Sequence, residues 1–195
     1  MERVGPCMSW LRKKRVLLAL CAALLALLFI NSSWIGRLMY PIRYSEDITV
    51  SAENNDVDPY LVAAIIRTET NFRTGKVSSK GALGIMQIMP ETAQWIIERA
   101  EFSNVSLDDI RERADVGIEL GAWYLHSLYK QFGGNPVAAV AAYNAGPGNV
   151  RGWLNKGVWD GRSETSDTIP FGETRHYVQR VMYYYNKYKT IYPTL

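Results

Sequence analysis

Asp58-Pro59-Tyr60-Leu61-Val62-Ala63-Ala64-Ile65-Ile66-Arg67-Thr68-Glu69 is the stretch on which the fold turns. Asp58 can accept hydrogen bonds from the free amides of a first helical turn, and Pro59 has the fixed φ that turn requires. From Tyr60 to Ile66 nearly every position is apolar, so no face is left for water. The pattern predicts a buried central helix over residues 60–69, ending near 70–72. Glu69 follows Ile65 and Ile66 by one turn. A carboxylate there meets the negative end of the helix dipole, and apolar neighbours disfavour its charged form. Both raise its pKa above the usual ~4.3, as a general acid at neutral pH requires. A helix-end glutamate that escapes to solvent is the alternative reading.

Outward from this helix the chain remains helical in pattern. Residues 37–55 read as a linker. Residues 73–84, rich in Gly, Ser and Lys, read as a loop. A helix is predicted over 90–100 and a single longer one over 108–132, where apolar residues recur at three- and four-residue steps. Gly133-Gly134 stops it. Asn135-Pro136 caps a short Ala-rich helix to about 143. A Gly-Pro-Gly turn and a helix to about 154 follow, then a loop over 155–170 and a last helix over 174–192. No segment alternates as a strand does, so the expected fold class is all-α.

The 195 residues are 48% apolar and 21% charged, a globular composition. The net charge of +3 divides unevenly: residues 1–40 carry +5 and the remainder −2. Arg12-Lys13-Lys14-Arg15 precedes VLLALCAALLALLFI (16–30), which predicts a transmembrane signal anchor over residues 16–36. Residues 1–15 are then cytoplasmic, 37–46 a linker, and 47–195 an external domain. A cleaved signal peptide is the alternative. The acidic remainder removes the case for nucleic acid. The cysteines, Cys7 and Cys21, both precede the external domain, which therefore has neither a disulfide nor a thiol nucleophile. His126 and His176 are far apart in sequence, and no metal or cofactor is expected. What remains is carboxylate chemistry.

Four blocks in order carry a resemblance: IIRTETNF (65–72), GALGIMQIMP (81–90), AYNAGPG (142–148) and IPFGETRHYV (169–178). Together they resemble the catalytic domain of family 1, soluble-type lytic transglycosylases, over roughly residues 47–192. The resemblance implies a lysozyme-like fold, akin to goose-type lysozyme, behind one transmembrane helix. It implies that Glu69 is the catalytic acid and base. It implies that Ser78, Gln87, Met89, Tyr143, Asn144, Glu173 and Tyr177 contact the sugar. Thr70 stands where the family usually has Ser, and Phe171 where Tyr is common. Trp153 and Trp159 are suggested as stacking walls.

The substrate so implied is peptidoglycan. Glycosidases commonly use two carboxylates, and no second one is forced here, although Glu91 and Glu173 are candidates. The family's answer is a single Glu. It protonates the bond between N-acetylmuramic acid and N-acetylglucosamine, then deprotonates the C6 hydroxyl to close a 1,6-anhydro ring. The implied location is the bacterial cytoplasmic membrane, with the domain outside, or secretion after signal cleavage. A lysozyme-type hydrolase and a non-catalytic glycan-binding protein are the rival readings.

Overall fold

The computed structural model describes residues 6–30, 33–102 and 104–195, and divides them into two compact units, Met1–Pro41 and Ile42–Leu195. The first unit holds α1 (Pro6–Ile30) and α2 (Ser33–Met39). In α1 the apolar side chains from Val16 to Phe29 are exposed. Among the described residues no helix is long and apolar enough to cross a membrane. The expected span continues past Ile30 into residues 31 and 32, which lie outside the described ones.

The second unit is built from α3 (Ser45–Asn54), α4 (Pro59–Glu69), α5 (Pro90–Arg99), α6 (Leu107–Glu112), α7 (Ala114–Gln131), α8 (Pro136–Ala145), α9 (Pro147–Asn155) and α10 (Gly172–Ile191). A single 3-10 turn, Ser166–Thr168, precedes α10. No strand forms among the described residues; isolated bridges join Val77 to Leu83 and Leu83 to Ile88. α4 occupies the centre. Leu61 to Ile66 are all buried, and α10 packs along it, with α3 and α7 also in contact. Hydrogen bonds at both ends fix α4 and α10 antiparallel. At the α4 start, Asp58 accepts from the Tyr60 amide at 2.9 Å and from the Tyr185 hydroxyl at 2.8 Å. At its end, Glu69 meets Tyr177.

Two expectations are corrected. Residues 45–54, read as linker, form α3. Ile48, Ser51 and Ala52 are buried there, and α3 contacts α7 and α4. Residues 108–132, read as one helix, break at Arg113, which is extended (φ −101°, ψ 123°). The carbonyl of Arg111 accepts instead from the Gly75 amide at 2.8 Å, so a tertiary bond replaces continuation of the helix. Ser106 and Asp109 close a capping box at the start of α6, an independent helix-start signal.

The segment between α4 and α5 lies tightly on this break. Gly84 has φ +71°, and a Cβ there would stand 2.0 Å from the Ile110 carbonyl oxygen. At Gly121 of α7 a Cβ would stand 2.2 Å from the Met86 sulfur. At Gly84 only glycine allows the two backbones so close; at Gly121 the near neighbour is the Met86 side chain.

Candidate active site

Glu69 is the last residue of α4. The chain leaves it through two successive left-handed residues, Asn71 (φ 54°) and Phe72 (φ 60°). Asparagine tolerates this conformation; for a bulky phenylalanine it is strained. Burial of Phe72 and the bond from Arg67 to the Asn71 side chain hold the turn. Thr70 donates its hydroxyl to the Ile85 carbonyl at 2.7 Å. That bond ties the end of α4 to the loop carrying Met86 and Gln87.

The Glu69 carboxyl is pushed up to about 7 from its ordinary 4.5. Burial is the largest cause. The Tyr177 hydroxyl, which donates to Oε1 at 2.7 Å, and the Arg180 cation pull it down, while the Glu173 charge pushes it up. Such a group is protonated about half the time near neutrality, so it can give a proton and take one back. Arg180 also donates to the Thr68 carbonyl at 3.2 Å, at the negative end of α4.

Two phenols border this carboxyl. Tyr177 and Tyr143 are both held well above the ordinary 10, first by burial and then by the Glu69 charge. Both therefore remain O–H donors. Tyr177 donates to Glu69 and Tyr143 to the Met86 carbonyl at 3.0 Å. Asn144 accepts from the buried Thr174 hydroxyl at 2.7 Å, which locks α8 to α10. Gln87 is left-handed (φ 51°), and its amide nitrogen donates to the Gly84 carbonyl at 2.8 Å.

The remaining expected residues are Ser78, Met89 and Glu173. Ser78 accepts at Oγ from the Lys80 and Ala82 amides at 3.2 and 2.9 Å, so its hydroxyl shapes the loop. Met89 is half-exposed at the start of α5. Glu173, in the first turn of α10, is exposed and pairs with Lys80 at 3.1 Å. The structure thus gathers Glu69, Tyr143 and Tyr177. Ser78, Gln87 and Asn144 have polar atoms committed to the frame. Among the described residues no three His, Cys, Asp or Glu side chains gather so as to hold a metal ion.

Trp153 and Trp159 are corrected. They are only 8% and 2% exposed. Trp159 donates its indole N–H to the Arg162 carbonyl at 3.0 Å, and Trp153 packs edge-on against Phe171 at 5.0 Å. Neither offers a face to a sugar. An exposed tryptophan lies instead on α5: Trp95 stands 5.5 Å from Trp123 and 6.3 Å from Tyr124, which stands 5.4 Å from Tyr143. The sequence carried a signal for this, because Trp95 falls between Ala93 and Ile96, the buried positions of α5, and hence off its inner face.

Residues 47–165 match the family described as Transglycosylase SLT domain. The soluble lytic murein transglycosylase of Salmonella typhimurium is 36% identical over 148 residues, covering 74% of this chain and 23% of that protein. The structure of an inactive mutant of lytic transglycosylase Slt from Pseudomonas aeruginosa matches with TM-score 0.71 and 36% identity, covering 79% of this chain and 25% of that one. The 70 kDa soluble lytic transglycosylase of Escherichia coli matches with TM-score 0.74 and 32% identity, covering 80% and 25%. This chain spans about a quarter of each relative's length.

Proposed function

This chain belongs to the transglycosylase SLT domain family, and on that footing we propose that it is a lytic transglycosylase of peptidoglycan. It cleaves the β-1,4 bond between N-acetylmuramic acid and N-acetylglucosamine. Glu69 acts first as acid and then as base. The observation that carries this is the Glu69 carboxyl: pushed up to about 7 by burial and oriented by Tyr177 at 2.7 Å.

Glu69 gives its proton to the glycosidic oxygen as the bond from C1 to that oxygen breaks. The N-acetyl carbonyl of the same sugar takes up the positive charge at C1. The Glu69 carboxylate then removes the proton of the C6 hydroxyl, whose oxygen closes on C1. The carboxyl ends protonated, no water is consumed, and the new end is a 1,6-anhydro ring. One carboxyl serves both steps because its pKa lies near the working pH. The other carboxylate whose charge bears on Glu69 is Glu173. Glu173 is exposed and tied to Lys80, which suits neither a buried nucleophile nor a water-activating base. Tyr143, Asn144, Gln87, Ser78, Met89 and Glu173 line or frame the sugar site in this reading.

The test is mass spectrometry of digested peptidoglycan. Anhydro-muramoyl ends are expected. Reducing ends, heavier by one water, would identify a lysozyme-type hydrolase instead. Binding of glycan without any cleavage would leave only a binding protein.

We further propose that residues 16–36 tether the enzyme to the cytoplasmic membrane, with the basic run inside and residues 47–195 outside as the catalytic domain. The exposed apolar surface of α1 supports this. So do the exposed Lys13, Lys14 and Arg15 before it. A salt-washed membrane fraction should retain the protein until detergent is added. Recovery in the soluble fraction, or a mature N-terminus beyond residue 36, would show that the segment is not an anchor.

A further inference from the structure

A cavity of about 500 Å³ lies where α4, α7, α8 and α10 meet, at the start of α4. Glu69 is at the other end of that helix, 11 residues on, or about 16 Å at the α-helical rise. The cavity is therefore not part of the acid site. Leu61 and Leu125, 4% and 1% exposed, form its floor beside Pro136. Asp56 and Tyr129 are exposed and stand at its mouth.

The polar groups around it divide into two sets. On one side Asp58 is fully engaged: Oδ1 accepts from the Tyr60 amide and Oδ2 from the Tyr185 hydroxyl, with the Lys189 ammonium at 3.9 Å. Lys189 also donates to the Tyr185 hydroxyl at 3.2 Å, so the charge of Asp58 is answered within the chain. On the other side, nothing among the described residues bonds to the Asp56 carboxylate or the Tyr129 hydroxyl. Asp56 sits on a fixed turn. Its amide donates to the Glu53 carbonyl at 3.4 Å and the next amide, of Val57, to the Ala52 carbonyl at 3.0 Å. With Asp56, Asp58 and Lys189 counted together, the cavity keeps one negative charge unanswered, and it is at the mouth.

An apolar floor beneath a free carboxylate and a free phenol fits a primary ammonium on an apolar tail. The tail is buried against Leu61 and Leu125. The ammonium N–H groups donate to Asp56 and Tyr129, with charge assistance at the carboxylate. A quaternary cation has no N–H to donate, and an anion is repelled. A lysine side chain entering tip first would set its charge on the leucines, where it is not solvated. An amino-terminal leucine carries its ammonium and its apolar branch on the same carbon, which matches mouth and floor together. We propose that this cavity is a binding site for the amino-terminal ammonium of a peptide or amino-acid amide whose first side chain is apolar. The site stands whether or not the cleft at Glu69 cleaves peptidoglycan.

The test is a ligand-observed NMR titration of the full chain in detergent at about pH 6.5, where an α-ammonium of pKa about 7.8 is mostly charged. Leucinamide should bind saturably. Nα-acetyl-leucinamide keeps the tail without the charge, and glycinamide keeps the charge without the tail. Each should bind at least about tenfold more weakly. Asp56→Asn should weaken leucinamide about tenfold and Tyr129→Phe severalfold. Both substitutions keep the side-chain shape at exposed positions, so folding is not at stake. Glu69→Gln should leave leucinamide binding unchanged, which separates this cavity from the cleft. Leucyl-alanyl-alaninamide distinguishes the sources: tighter binding than leucinamide supports a peptide end, and equal binding supports a single amide. Absence of saturable binding, equal binding of the acetylated compound, or an unaltered affinity in Asp56→Asn overturns the site.

Discussion

Glu69 and Glu173 are the same residue type on two packed helices, and their surroundings are opposite. Glu69 ends α4, buried, where helix carbonyls point. Glu173 begins α10, exposed, where free amides point, with Lys80 at 3.1 Å. The dipole disfavours charge at the first position and favours it at the second. Burial widens the gap, because desolvation is the main cause of the Glu69 shift. A carboxyl becomes a neutral-pH acid through its position at the junction of α4 and α10, not through its type.

The hardest blow to that comparison is Glu69→Gln. Cleavage should fall by at least about a thousandfold, since both proton transfers are lost; an active variant in a digest assay would end the single-acid mechanism. Stability should move the other way. Between about pH 4.5 and pH 7 the native protein holds the Glu69 proton more tightly than the unfolded chain does. The stability this confers is whole below about 4.5 and is lost as pH rises through about 7. Glu69→Gln should therefore flatten the stability curve in that window and add roughly 3 kcal/mol at pH 8 relative to the parent. Urea unfolding at several pH values reads this directly.

Tyr177→Phe sharpens the comparison at intermediate cost. It removes the hydrogen bond that holds the Glu69 carboxyl down and in place. Turnover should fall on the order of tenfold. The basic limb of the pH–rate profile should move to higher pH, a shift that loss of packing alone would not produce. A limb that stays put would mean that Tyr177 does not set the proton affinity.

Glu173→Gln should do least to stability. Its pair with Lys80 is exposed on both sides, so the melting free energy should change by less than about 0.5 kcal/mol. Removing its charge should still draw the Glu69 limb slightly to lower pH, since that charge pushes Glu69 up. A large loss of stability would show that the two carboxylates are not the contrast described here.

Legibility along the chain follows how local each signal is. The α4 start was readable because Asp58 and Pro59 act on the adjoining turn. The α6–α7 break was not, because its cause is Gly75 bonding to Arg111 across the fold. The helix of residues 45–54 was missed because its apolar contacts are made with α7 and α4. Trp153 and Trp159 show the same limit. A tryptophan in a Gly-rich surround reads as a stacking face, yet both are enclosed once α9 and the 155–170 loop fold back. The four sequence blocks marked Glu69, Tyr143 and Tyr177 individually; the meeting of Glu69 with Tyr177 belongs to the antiparallel register of α4 and α10, and Tyr143 comes in on α8, which packs against α10.

By itself the sequence determined a buried, capped helix ending in a carboxylate, an all-helical domain around it, and a basic apolar segment ahead of it. Each follows from residue spacing and from forces acting within a turn or two. Only the tertiary structure decided that the carboxyl titrates near neutrality, that Tyr177 holds it, and that Trp95 rather than Trp153 meets solvent. Desolvation and ring exposure are set by which other elements cover a side chain, and those elements can come from far along the chain, as Tyr177 does to Glu69 across 108 residues.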